Sequence, residues 1–221
     1  MRDNVKVIIA KYTENIDWVD ELGYDYVVYD KSQNPLPNSR HLENIGREAH
    51  TYIKHIISEY DRLADMNIFL QGDPFDHIDD RGRATVKTLR KQLADIVDKA
   101  VPFKGLAWFK LKCDRLGQPH DLRKPENEGR WSGWGRDIPV GEVFERLFFE
   151  TMPKQIIARA PTGNFCVTGR RIRTRPKAFY EHCLRLIECD PNDEKNTGHA
   201  IERLWQHIFN GNTAWNRDSY E

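Results

Sequence analysis

The run Gln71-Gly72-Asp73-Pro74-Phe75-Asp76-His77 carries the sharpest chemical potential in the chain. Asp73 and Asp76, with His77 alongside, are the donor types that could chelate one hard divalent ion, Mg²⁺ or Mn²⁺. The same residues also suit a Gly-Pro turn whose aspartates cap nearby amides. A second feature is the row Arg170, Arg171, Arg173, Arg175 and Lys177. It reads either as a guarded, solvated strand edge or as a patch that grips phosphates. Trp131 and Trp134, flanked by glycines, could stack on a sugar or base or could anchor their own loop. Cys113, Cys166, Cys183 and Cys189 include no C-x-x-C pair and so make no zinc framework; no G-x-S-x-G nucleophile elbow occurs either.

These residues need elements to position them. Val5–Ala10 is an apolar, β-branched run that predicts a buried strand, leaving through Tyr12, Thr13, Glu14 and Asn15. Tyr26–Tyr29 predicts a second strand, ending at Asp30, Lys31 and Ser32, before a Pro/Asn-rich loop. Ile45, Ala49, Tyr52, Ile53, Ile56, Ile57 and Tyr60 fall at helical spacing behind Asn44 as N-cap. Met66–Leu70 predicts a third strand, and a helix on Val86, Leu89, Leu93, Ile96 and Val97 follows Asp79 and Asp80. Next come a strand over Phe103–Cys113, a long loop over 114–139, and a helix opened by Pro139. Short strands at Ile156–Ala158 and Asn164–Thr168 precede helices from Pro176 to about Ile187 and from about His199 to Phe209.

Strand and helix alternating in this order predict one α/β, Rossmann-like domain over 1–221, with a mostly parallel central sheet flanked by helices. In such sheets ligands bind outside the carboxyl ends of the strands, where strand order reverses. The polar ends Tyr12–Asn15, Asp30–Ser32 and Asp73–His77 are therefore expected to converge. A helix N-terminus at Asn44–Arg47 stands ready for an anion, with Gly46 admitting close backbone approach and Arg47 adding a forked donor. Gly163-Asn164-Phe165 could bring backbone close to a ligand. Glu48 lies in a helix first turn, where the dipole favours an acid, so its role reads as structural. His50 and His55 read as surface or satisfied histidines.

Composition narrows the function classes. Lys plus Arg and Asp plus Glu each number 34, and a chain with no basic excess is not expected to coat nucleic acid. No apolar run reaches the roughly 18 residues of a membrane span. The N-terminal apolar run is too short for a secretory signal, and the cysteine usage suits a reducing cytoplasm.

VIIAKYTENIDWV, VVYDKS, N-x-GREAHTY, IFLQGDPFDH, GNFCVTGRRIRTRPKAFY and HAIERLWQHIF resemble, in order, the blocks of domain-of-unknown-function family 3431. The order of loops and acidic strand ends is similar, more distantly, to the GT-A nucleotide-sugar glycosyltransferases. That resemblance implies a GT-A-like fold, a nucleotide-sugar donor, a glycan or other hydroxyl-bearing acceptor, and Mn²⁺ or Mg²⁺ on the donor diphosphate. Asp30 matches the aspartate that serves the nucleoside in those enzymes. Asp73-Pro74-Phe75-Asp76 departs from their D-x-D metal motif by one residue. Tyr12, Thr13, Asn15, Asp30, Lys31, Arg47, Gly163, Asn164 and Arg171 are then the expected donor-binding residues, and Asp73, Asp76 and His77 the metal ligands. The 114–139 loop would be a lid closing over the donor or acceptor.

An inverting transfer also needs a base. On the last helix Ile201, Leu204, Trp205, Ile208 and Phe209 form an apolar face, with His199 and Gln206 opposite and Glu202 at the border. A late-helix position is where GT-A enzymes often hold their base, which points to Glu202, with His199 as its supporting partner. The rival readings are a metal-dependent phosphoesterase or hydrolase on Asp73, Asp76 and His77, and a non-catalytic nucleotide- or carbohydrate-binding module.

Overall fold

The computed structural model describes residues 4–79, 83–117 and 137–210. Trp131, Trp134 and most of the expected lid lie outside them.

The chain begins with β1 (Val5–Lys11), β2 (Asp25–Asp30) and β3 (Arg40–His41), then α1 (Arg47–Glu59) and β4 (Met66–Gln71). After a single turn of helix, α2 (Phe75–Ile78), come α3 (Val86–Asp98), β5 (Phe103–Gly105) and β6 (Leu111–Cys113). α4 (Val140–Phe148), β7 (Ile156–Ala158), β8 (Phe165–Thr168), α5 (Gly169–Ile172), α6 (Lys177–Glu188) and α7 (Thr197–Asn210) follow. Six strands form one sheet in the order β3-β2-β1-β4-β8-β5. β1 to β4 pair in parallel, and β8 runs antiparallel between β4 and β5. The α/β architecture with a mostly parallel, helix-flanked sheet is thus as expected.

Strand alternation sorts the core into two layers. Ile8, Ala10, Phe69, Phe165 and Val167 face α1, α6 and α7, while Val7, Ile9, Ile68, Leu70 and Cys166 face α3. Burial on both faces is why β1 and β4 read as unbroken apolar runs rather than alternating ones.

Three local expectations are corrected. The helix expected behind Asn44 starts instead at Arg47, with Gly46 at its cap in the left-handed region (φ 56°) and no side-chain cap. Close packing on α6 sets this, since a Cβ on Gly46 would stand 2.1 Å from Ile187 Cγ2. The strand expected over Phe103–Cys113 is two strands in different sheets. β5 stops at Gly105, pressed against the Arg159 carbonyl, and β6 pairs with β7. Finally, α7 has no solvent face. Every residue from Thr197 to Phe209 is buried, His199 and Gln206 included, because α1, α4, α5, α6, β5 and β7 all touch it.

Candidate functional site

The strand order fixes where a ligand site belongs. β1 leads to β2 and β3 on one side, and the chain then returns to place β4 on the other. The β1/β4 boundary is therefore the topological switch point. Register sets Ala10 beside Gln71 and Lys11 beside Asp30, so the three strands end at one level.

Between the ends of β1 and β2 lies a cavity of about 320 Å³ lined by Lys11, Tyr12, Thr13, Ser32, Gln33 and Asn34. Asp30 builds its floor rather than lining it. Fully buried, its carboxylate accepts from Ser32 N at 2.8 Å and Leu36 N at 3.0 Å and pairs with Lys11 Nζ at 3.1 Å. Burial alone would raise its pKa, but hydrogen bonds from Ser32, Leu36 and Lys11 outweigh that and hold it low. Lys31 is likewise internal. Its ammonium donates to the carbonyls of Ile45 and Arg47 at 2.6 Å each, clamping the entry to α1, and burial lowers its pKa to about 8.

At the end of β4 a chain of side-chain amides leads to a pair of carboxyls. Asn164 Nδ2 donates to Gln71 Oε1 at 2.7 Å, and Gln71 Nε2 donates to Glu48 Oε1 at 2.7 Å. Asn164 also accepts from Gln71 N at 2.9 Å, which welds the start of β8 to the end of β4. Glu48 Oε2 is buried and has no hydrogen-bond partner among the described residues. Close by is the carboxyl of Glu202, which accepts from Arg203 at 3.4 Å and feels the charge of Glu48. Burial first, and then the charge of Glu48, push the Glu202 pKa far above the usual carboxylate range, against the pull of Arg203 and Arg47. Both causes favour the protonated form of Glu202. The Tyr52 hydroxyl lies in the field of both carboxyls, fully enclosed, with no hydrogen-bond partner among the described residues, close to Gly163.

The first turn of α7 is tied down separately. Asp193 accepts from Arg47 Nε and from Gly198 N, each at 2.7 Å, and lies 3.1 Å from His199 Nδ1. His199 also meets Asn196 Oδ1 at 3.1 Å, so it braces the helix start. Arg47 keeps 45% of its side chain exposed despite the Asp193 bridge.

The expected donor-binding residues thus fall in four places. Tyr12 and Thr13 line the cavity, with Asp30 beneath it, while Lys31, Arg47, Gly163 and Asn164 surround the carboxyl pair at the same end of the sheet. Asn15 is engaged in its own turn, bonding with Asp17 N at 2.7 Å and Asp17 Oδ2 at 3.0 Å. Arg171 is at the other end of the molecule, beside Thr168 where β8 meets the first residue of β4. The sequence offered no way to see this, because β8 runs antiparallel to its neighbours.

Asp73, Asp76 and His77 do follow β4, but Asp73 Oδ1 accepts from Phe75 N at 3.3 Å as a turn residue. Among the described residues no group of three His, Cys, Asp or Glu side chains has the arrangement of a metal site. These three residues therefore do not fit a resident divalent ion as they stand.

A family model described as protein of unknown function (DUF3431) matches residues 7–220. The chain belongs to this family. No curated protein and no solved structure matches it. Within the matched span lie both carboxyls of the pair. The sequence blocks GREAHTY and HAIERLW hold Glu48 and Glu202, and the fold joins them across α1 and α7. Among the described residues no helix is long and apolar enough to cross a membrane.

Proposed function

We propose that the chain is a nucleotide-sugar-dependent glycosyltransferase with a GT-A-like domain, passing a sugar to a hydroxyl-bearing acceptor such as a glycan. The observation that carries this reading is the closeness of Glu48 to the buried Glu202, whose pKa is raised, at the carboxyl end of β4 and one strand from a cavity of about 320 Å³. In this reading Glu202 keeps a proton and Glu48 is the base. The acceptor hydroxyl takes the place of the Gln71 amide on Glu48 Oε1 and its oxygen attacks the anomeric carbon. The bond to the diphosphate then breaks, and the hydroxyl proton passes to Glu48. The exposed part of Arg47 offers its guanidinium to the charge gathering on the leaving diphosphate. No step is routed through a metal.

The test is a melting-temperature screen of nucleoside diphosphates and their sugars, with and without Mn²⁺, followed by turnover assays. Saturation at about a hundredfold above Kd should stabilise by about 2.7 kcal/mol. For a domain of this size that is a rise of about 5–10 °C. Turnover that needs no acceptor would favour a hydrolase on the same carboxyl pair, and a shift with no turnover a binding module. The absence of any shift would overturn the reading.

A further inference from the structure

A cavity of about 650 Å³ is at the opposite end of the sheet from the carboxyl pair. Its lining combines Arg170, Arg171 and Arg173 with the apolar Met66, Val97 and Pro102. We propose that this cavity is a binding site for an organic phosphate, with the phosphate group held by the α5 arginines and the body of the ligand resting on the apolar wall.

Sequence order explains the concentration of charge. β8 ends at Thr168 beside Met66, and the chain turns at once into α5, whose first turn is closed by Thr168 Oγ1 accepting from Arg171 N at 3.1 Å. Arg170 and Arg173, three residues apart, share a face of that turn, and Arg171 sits beside them. Among the described residues no carboxylate forms an ion pair with Arg170, Arg171 or Arg173. Arg173 is partly anchored, donating to the Tyr60 carbonyl at 3.4 Å. Asp65 is the one acid in the lining, and its carboxylate already accepts from Asn4 N at 3.3 Å.

Arg175, from the same basic row, shows what happens when a guanidinium is not kept for a ligand. It is stacked on Phe148 and Phe179 and donates to the carbonyls of Ile208 and His207, closing the end of α7. The row therefore divides into one structural arginine and three that leave a positive cavity. Planar forks of this kind match phosphate oxygens in pairs. The cavity volume lies in the range of small-molecule sites, and its apolar wall sets it apart from a bare ion patch.

This inference stands independently of the proposed glycosyl transfer. Two probes test it, inorganic pyrophosphate by titration calorimetry and phosphatidylcholine vesicles with or without phosphatidic acid by co-sedimentation. Both are run on the full chain, on Arg170→Ala/Arg171→Ala, and on Thr13→Glu, which puts a negative charge into the cavity between β1 and β2. At least one probe should bind, more weakly at high salt, and the double variant should lose at least about tenfold in affinity. Thr13→Glu should keep that binding. Pyrophosphate binding alone identifies a soluble phosphate compound, and vesicle binding identifies a lipid headgroup. If the double variant melts early, the exposed single variant Arg170→Glu replaces it. Unchanged affinity in the arginine variants, loss in Thr13→Glu instead, or no saturable binding of either probe would overturn the proposal.

Discussion

At the carboxyl end of β4, Asn164, Gln71 and Glu48 are linked in series beside the buried Glu202, whereas at the amino end of the same strand three arginines line a cavity without carboxylate partners among the described residues. Both ends concentrate like charge, and they have different means of relieving it. A carboxyl can relieve it internally by keeping a proton, which the burial of Glu202 favours. Exposed guanidiniums cannot shed theirs, so their charge is met by solvent ions or by a ligand. A buried like-charge pair is therefore a place to look for proton transfer, and an open one a place to look for anion binding.

The largest expected effect belongs to the buried end. Glu48→Gln should lower the transfer rate by about a hundredfold or more while donor binding persists. Glu202→Gln should lose far less, because an amide N–H can replace the carboxyl proton on Glu48. Equal losses in both variants, measured as single-turnover rates, would return the base to Glu202.

Backbone packing comes next. Gly46→Ala should destabilise by about 2–4 kcal/mol in a denaturant titration, since the new methyl group meets Ile187 at a backbone angle that alanine disfavours. It should leave anion binding at the arginine cavity unchanged, which separates the two ends.

How much of this was legible in the sequence follows from the kind of contact involved. Local patterns located β1, β2 and β4, because burial on both faces demands continuous apolar runs. They also located α3 through Val86, Leu89, Leu93, Ile96 and Val97, but not its cap, Thr85, whose side chain accepts from Thr88 N at 3.3 Å. Expectations failed where a distant partner decided the outcome. Glu48 looked like an ordinary first-turn acid because Glu202, on whose carboxyl its charge acts, is far along the chain. The polar residues of α7 looked solvent-facing because nothing in that stretch announces the elements that cover it. Gly46 and Glu48 within one short block were the available hint, since a glycine cap beside an acid leaves room for another chain to approach.

Acid should act on the buried histidines. Burial lowers His50 and His55 to about 4 and His207 to about 3. The unfolded chain therefore binds more protons than the folded one below the ordinary histidine pKa of about 6.5. Stability should fall as pH drops from about 6.5 toward 4, with His55→Gln making the fall shallower by up to one proton. A midpoint denaturant concentration that stays flat over that window would contradict the burial of these rings.

A smaller effect with the opposite pH sense belongs to Glu202. Its folded pKa is raised, so its contribution to stability is present below the unfolded value and is lost as pH rises through the folded one. Glu202→Gln should match wild type in melting temperature at low pH and exceed it modestly as pH increases. A variant less stable than wild type at every pH would mean that the carboxyl is ionised and held by Arg203.

The proton proposed for the Glu48–Glu202 pair can be sought by infrared spectroscopy of the wild-type protein at neutral pH. The account predicts a protonated-carboxyl stretching band that disappears in Glu202→Gln and shifts in Glu48→Gln as its hydrogen-bond acceptor changes. A wild-type spectrum without such a band, or a band that survives in Glu202→Gln, would contradict it.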